Sequence, residues 1–178
     1  MISDMGLNNN EYEKMMKLDI KKRWEFIQAQ NTKYSQLPSP QCIIKYITMD
    51  DYQNFNANSI EYLHSILKDC FVTWIAEFVS KFKGHTILIN KIQQYEAQDN
   101  FKNLHENEKD INLFKCLLQC INDIQNIDSC QHELINDKTL MYSILNALFI
   151  QNDDIFILAL KDLLPYTLFA ENVDKIIK

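Results

Sequence analysis

Glycine is nearly missing from these 178 residues: only Gly6 and Gly84 occur, and proline is limited to Pro38, Pro40 and Pro165. Sheets joined by tight turns draw on both residues, so the scarcity points to helices. Two glycines also cannot write a P-loop or a dinucleotide fingerprint, each of which needs glycines at fixed spacing. Nucleotide hydrolysis and hydride transfer by those routes are disfavoured, and no cofactor is expected. Basic charge is short as well. Eighteen Lys and Arg against 24 Asp and Glu leave a formal charge of −6, the wrong balance for a nucleic-acid binder. No apolar run reaches the ~18 residues of a membrane span. The opening MISDMGLNNN lacks the charged-then-apolar pattern of a secretion signal. The expectation is an intracellular, cytoplasmic protein.

What is present is apolar and helical in period. Apolar residues make up 47% of the chain, enough for the core of one domain. Residues 61–88, EYLHSILKDCFVTWIAEFVSKFKGHTIL, organise the rest. Leu63, Ile66 and Leu67 are followed by Phe71, Trp74, Ile75, Phe78 and Phe82, a helical stripe. The stretch reads as helix, turn, helix, turn, helix. Asp69 is the expected cap of the middle helix and Gly84 its stop, in the left-handed conformation glycine tolerates.

Before this stretch, residues 8–27 carry two short helical patterns, joined by KMMKLDIKKR with Lys14, Lys17, Lys21, Lys22 and Arg23. The plain reading of this basic run is a solvated face; the functional one is a docking patch for an acidic partner. Ser39 and Pro40 restart a helix as cap and first residue. After it, 93–107 is polar and reads as including an exposed loop. Asp110, Asp128, Asp137 and Asp153 or Asp154 then mark helix starts. Pro165 is expected to kink the last helix or end it at Leu164, and 171–178 looks like the start of another. Units near 58–98 and 110–150, with a third beginning near 153, have the period of an armadillo or HEAT solenoid; an irregular helical bundle is the alternative.

Chemistry finds little support in the residues. None of the four histidines sits in an HExxH spacing. Asp50–Asp51 and Asp153–Asp154 fall at element ends, where capping and solvation explain them. A cysteine nucleophile with a histidine base has no motif behind it. Cys42, Cys70, Cys116, Cys120 and Cys130 are odd in number and lie mostly in apolar helical patterns, which favours reduced, buried thiols. Cys116, Cys120, Cys130 and His132 can be drawn as a zinc set, but structural zinc sites pair ligands in tight loops, so core packing is preferred. The chain is not expected to be an enzyme.

Three passages carry a resemblance. The opening MISDMGLNNN, followed by a basic helical stretch and KKRWEFI, is similar to an acidic-Met-x-Leu-Asn opening. ExLxxxLxxxxVTWIxxF surrounds a tryptophan and a phenylalanine. LFKCLLQCIND is similar to an RCLKAxMNN helix. In this order and spacing they resemble the N-terminal regulatory region of diaphanous-related formins, a GTPase-binding segment followed by an armadillo-type inhibitory domain. The resemblance implies an all-α fold, an armadillo-like α-α superhelix preceded by a small helical GTPase-binding subdomain. It implies a division into 1–56 and 57–178, with the stack truncated and its apolar end exposed.

The function so implied is a switch. A Rho-family GTPase in its GTP state binds the basic helices and the first repeat. A C-terminal autoregulatory segment of the parent formin binds the armadillo groove and holds actin assembly off until the GTPase releases it. Carried over residue by residue, the GTPase contact falls on Lys14, Lys17, Lys21, Lys22, Arg23, Ser65, Leu67, Lys68 and Asp69. The family usually has asparagines at 68–70 and an apolar residue at 65. The groove falls on Asn122, Lys161, Pro165, Leu168 and Phe169, with proline at 165 in place of a small residue. Cytoskeletal association follows from the same resemblance. A general armadillo-like scaffold that binds a peptide without any GTPase is the second reading, and it does not need the basic run.

Overall fold

The computed structural model describes residues 37–49, 57–97 and 107–168, with Lys17, Lys22 and Phe101 besides. Helix α1 spans Pro40–Met49 and α2 Ala57–Asp69. Helix α3 is Val72–Ala76 and runs on as a π-helical turn, Glu77–Lys81. Then come α4 (Gly84–Glu96), α5 (Glu108–Gln125), α6 (Asp128–Ile135), α7 (Lys138–Ala147) and α8 (Asp153–Leu168). Among the described residues there is no strand.

These helices begin where local chemistry can satisfy their first amides. Pro40 opens α1 where no amide is needed, and Ser39 Oγ accepts from Cys42 N at 3.3 Å. Asp137 caps α7 as its spacing predicts, accepting from the amides of Thr139 (2.9 Å) and Leu140 (3.2 Å). Elsewhere the cap sits earlier than the first acid. Asn107 accepts from Lys109 N and donates to Asp110 Oδ2, so Asp110 is the third residue of α5 rather than its start. Asn152 accepts from Ile155 N, leaving Asp153 and Asp154 in the first turn of α8. Asp128 is the first residue of α6, after an uncapped Ile127. Asp69 does not cap α3 either: it closes α2, and the Phe71 carbonyl takes the amides of Trp74 and Ile75.

The α3–α4 turn departs from expectation in an informative way. The left-handed residue is Lys83 (φ 53°), while Gly84 is the first residue of α4. Glycine is required at 84 for space. A Cβ there would lie 2.2 Å from Phe78 Cζ. The ring of Phe78 occupies that volume, fully buried and stacked on Trp74 at 5.5 Å and 13°. Trp74 Nε1 donates to the Pro38 carbonyl at 2.9 Å, which ties the approach to α1 onto α3. Lys83 is held by Glu133 of α6 at 2.7 Å.

Helices in equivalent positions stack. α2 packs along α5 and α5 along α8; the π-helical turn of α3 meets α6; α4 meets α7. Two triplets, α2–α3–α4 and α5–α6–α7, are therefore laid side by side, and α8 opens a third. The fold is all-α and armadillo-like. Helix α5 is its middle, burying Ile111, Leu113, Phe114, Leu117, Leu118, Ile121 and Ile124. Glu96 clips the third helices together, accepting from Ser143 Oγ (2.5 Å) and Asn146 Nδ2 (2.9 Å).

In the polar stretch 93–107, the described residues are less open than their composition suggests. The stretch remains helical to Glu96, and Tyr95 and Phe101 are buried edge-on against Phe114. Pro165 does not end α8, which runs on to Leu168. Beyond the proline, Tyr166 is fully buried and its hydroxyl donates to the Leu134 carbonyl at 3.1 Å, so packing holds the turn that the proline weakens. Cys116, Cys120 and Cys130 are buried free thiols, Cys70 is half-buried, and Cys42 lies on the exposed side of α1. The expected helices within 8–27 and 171–178 lie outside the described residues.

Gly84→Ala should destabilise the domain by about 1–3 kcal/mol, the usual cost of overpacking a filled core. Combining it with Phe78→Leu, which vacates ring volume, should recover part of that loss. Urea unfolding of the two variants and the double variant measures both. An unchanged midpoint for Gly84→Ala would show that the ring has another place to go.

Candidate functional site

Two surfaces follow from the residues singled out above. The first is the C-terminal end of α2. Ser65, Lys68 and Asp69 are exposed there, and Ser65 Oγ donates to the Tyr62 carbonyl at 2.7 Å. Leu67 is only 4% exposed and belongs to the core, so the surface of this turn is made by its three polar neighbours. Lys17 and Lys22 are exposed; Lys14, Lys21 and Arg23 lie outside the described residues. The second surface is the edge between α5 and α8. Asn122 is half-buried, Lys161 exposed and Pro165 half-buried. Leu168 is the last residue of α8, and Phe169 lies outside the described residues.

Between the two surfaces runs a polar seam that motif reasoning missed. Asn122 Nδ2 donates to Asp162 Oδ1 at 2.9 Å, and Asn126 Nδ2 donates to Asn122 Oδ1 at 3.3 Å. Next to Asn122, Asp123 Oδ2 lies 3.3 Å from His64 Nε2 on α2. Lys68, one turn beyond His64, places its charge near both. Asp162 is fully buried, and its Oδ2 has no partner among the described residues. The signal in sequence was a lone acid on the apolar face shared by Ile155, Ala159 and Tyr166.

Burial decides the protonation of this seam. It pushes the Asp162 carboxyl up to about 8, with the Asn122 hydrogen bond opposing and the nearby Asp123 charge adding to the rise. It also pushes Asp123 up, against the pull of Lys68, and His64 down, with Lys68 acting in the same direction. Two ionised partners would shift each other the opposite way, so desolvation outweighs their attraction.

The turns at the ends of α2 and α5 share an open groove of about 450 Å³. Val72, Thr73 and Ala76 line it from α3, and Asn126, Ile127, Asp128 and Ser129 from the start of α6. No group of three or more His, Cys, Asp or Glu among the described residues is placed to hold a metal ion. What the arrangement offers is recognition: an exposed charged turn, a groove, and a buried polar seam behind them.

The sequence profile of the Diaphanous GTPase-binding Domain matches residues 1–165. The chain belongs to this family. It is a Rho GTPase-binding regulatory domain of diaphanous formins, a binding module by family. No match was found among curated proteins. The family match takes in both the basic run and the stacked triplets of this GTPase-binding domain, and so covers both candidate surfaces up to Pro165. No helix among the described residues is long and apolar enough to cross a membrane.

The titration of Asp162 has a stability consequence. Unfolded, an aspartate titrates near ~4; in the fold Asp162 does so at about 8. Below ~4 both states hold the proton, and between the two values only the folded state does. Its contribution is therefore full at low pH, falls as pH rises through that window, and levels off above about 8. Asp162→Asn should be more stable than the unaltered domain at pH 8, with the advantage shrinking toward pH 5. Urea unfolding across that range checks it; parallel curves would mean that Asp162 ionises normally in the fold.

Proposed function

We propose that this domain holds a GTP-loaded Rho-family GTPase through two separable terms. Residues 1–56 form the GTPase-binding segment and supply attraction through Lys14, Lys17, Lys21, Lys22 and Arg23. Residues 57–178 form the armadillo-repeat inhibitory unit, and its α2 turn supplies the close contact through Ser65, Lys68 and Asp69. Leu67 acts from beneath, as the core residue that sets the turn. The observation that carries this reading is the family match over 1–165, which joins the basic run to the α2–α3 turn in one unit.

The same reading extends to control. The edge bearing Asn122, Lys161 and Pro165, continued by Leu168 and Phe169, receives the C-terminal autoregulatory segment of the parent formin. GTPase binding releases that segment, and actin assembly at the cytoskeleton follows. Coupling of this kind is reciprocal: the autoregulatory segment must weaken the GTPase as much as the GTPase weakens it. The groove beside Val72 and Asn126 supports the second reading, a peptide-binding scaffold without a GTPase. Binding of the GTP form over the GDP form separates the two.

Neutralising Lys21, Lys22 and Arg23 should slow association by about tenfold at low salt and flatten its salt dependence, because exposed charges steer encounter more than they hold. Lys68→Glu should instead raise the dissociation rate. Association and dissociation measured at two ionic strengths with GTP-analogue-loaded partner give both numbers. Equal, salt-independent association by the neutralised chain would end the role assigned to the basic run.

A further inference from the structure

We propose that Asp162 is a positioning residue for the partner-contacting end of α2, acting through Asn122, Asp123 and His64. This rests on the GTPase-binding reading of that end and adds to it a residue that never touches the partner. Asp162 is fully buried on α8, so a docked protein does not reach it. Its Oδ1 takes the Asn122 amide at 2.9 Å. The adjoining residue, Asp123, comes within 3.3 Å of His64 on α2 without a hydrogen bond, and His64 lies one turn before Lys68. Side chains of three stacked helices thus meet along one edge.

The geometry of α5 makes these contacts depend on one another. Consecutive residues on a helix point about 100° apart. Asn122 and Asp123 therefore address neighbours on two flanks, α8 and α2, from one rigid piece of backbone. A small roll of α5 moves both side chains together. The Asn122–Asp162 bond fixes that roll, and with it the place where Asp123 meets His64. Apolar contacts around the seam permit sliding; a directional bond to a fully buried acid does not.

The test uses the full 178-residue chain and a Rho-family GTPase loaded with GTP analogue, read as dissociation rates. Asp162→Asn keeps an acceptor for Asn122 and should stay within about twofold of the unaltered chain. Asp162→Leu removes it and should speed dissociation on the order of threefold or more, the scale of residues that act through a coupled network. Ala159→Gly, on the same buried face of α8 but outside the seam, is the control, compared at equal margin below its melting temperature. His64→Gln should speed dissociation too, and the double variant Asp162→Leu/His64→Gln should show less than the product of the single effects. If Asp162→Leu does not fold, Asn122→Leu breaks the same bond from the α5 side and carries the same expectation.

Equal rates for Asp162→Leu and Ala159→Gly, or effects of Asp162→Leu and His64→Gln that simply multiply, would overturn the positioning role while leaving the GTPase reading intact. Failure of the unaltered chain to bind any GTP-loaded member would overturn both.

Discussion

The burial of α5 on both flanks is the constraint from which most of this structure follows. Its apolar residues cover most of its circumference: Leu113, Phe114, Cys116, Leu117, Leu118, Cys120 and Ile121 are all buried, and solvent reaches one stripe through Asn112, Lys115 and Gln119. Polar residues off that stripe cannot turn outward without giving up apolar contact. Asn122, Asp123 and Gln125 therefore meet other protein groups or none. Asn122 finds Asp162 and Asp123 approaches His64, while the amide of Gln125 finds no partner among the described residues. The polar seam is what remains when an enclosed helix still carries polar side chains.

The α3–α4 corner applies a second constraint, this time of volume. Phe78 can stack on Trp74 only because residue 84 has no Cβ, and α4 can begin there only because Lys83 accepts a left-handed conformation. The π-helical turn adds a residue to its ring of hydrogen bonds, with Phe82 N reaching Glu77 O at 3.2 Å. Together these lead the chain into α4, which packs against α5 and gives α7 a partner for its own packing. One missing methyl thus acts at the scale of the repeat.

Sequence made the large elements legible and the reasons for their ends less so. The stripe from Leu63 to Phe82 and the capping signal at Asp137 correspond to what the fold contains, because apolar period and an acid at the helix start are local signals. Two of the misplaced caps share a cause: Asn107 does the work three residues before Asp110, and Asn152 one before Asp153, ahead of acids that composition makes more conspicuous. Gly84 read as a left-handed stop, whereas it opens α4 as a gap for Phe78, since that gap depends on a ring six residues earlier folding back. Tyr95 and Phe101 were lost among polar neighbours for the same reason. Of the candidate surfaces, the α2 turn and Asn122 were singled out by resemblance. Asp162, His64 and Asp123 were not, because a buried polar contact between helices 40 residues apart leaves no spacing to read.

The seam is poorly explained by stability. Burial raises Asp162 and Asp123 and lowers His64, which means that each group is held in surroundings that oppose its charge. Apolar residues of similar volume at such places are often neutral or stabilising. What they lack is direction. A stack of helices joined only by Leu and Ile contacts has many settings of nearly equal energy, since apolar burial depends on area and not on angle. The Asn122–Asp162 bond has an angle and a distance to satisfy, while Asp123 comes within 3.3 Å of His64 without a hydrogen bond; on the proposed role, it is the bond that favours one setting of α5 against α8. For a domain of a GTPase-binding family, a defined helix setting is what the proposed positioning role would gain in return for the stability given up.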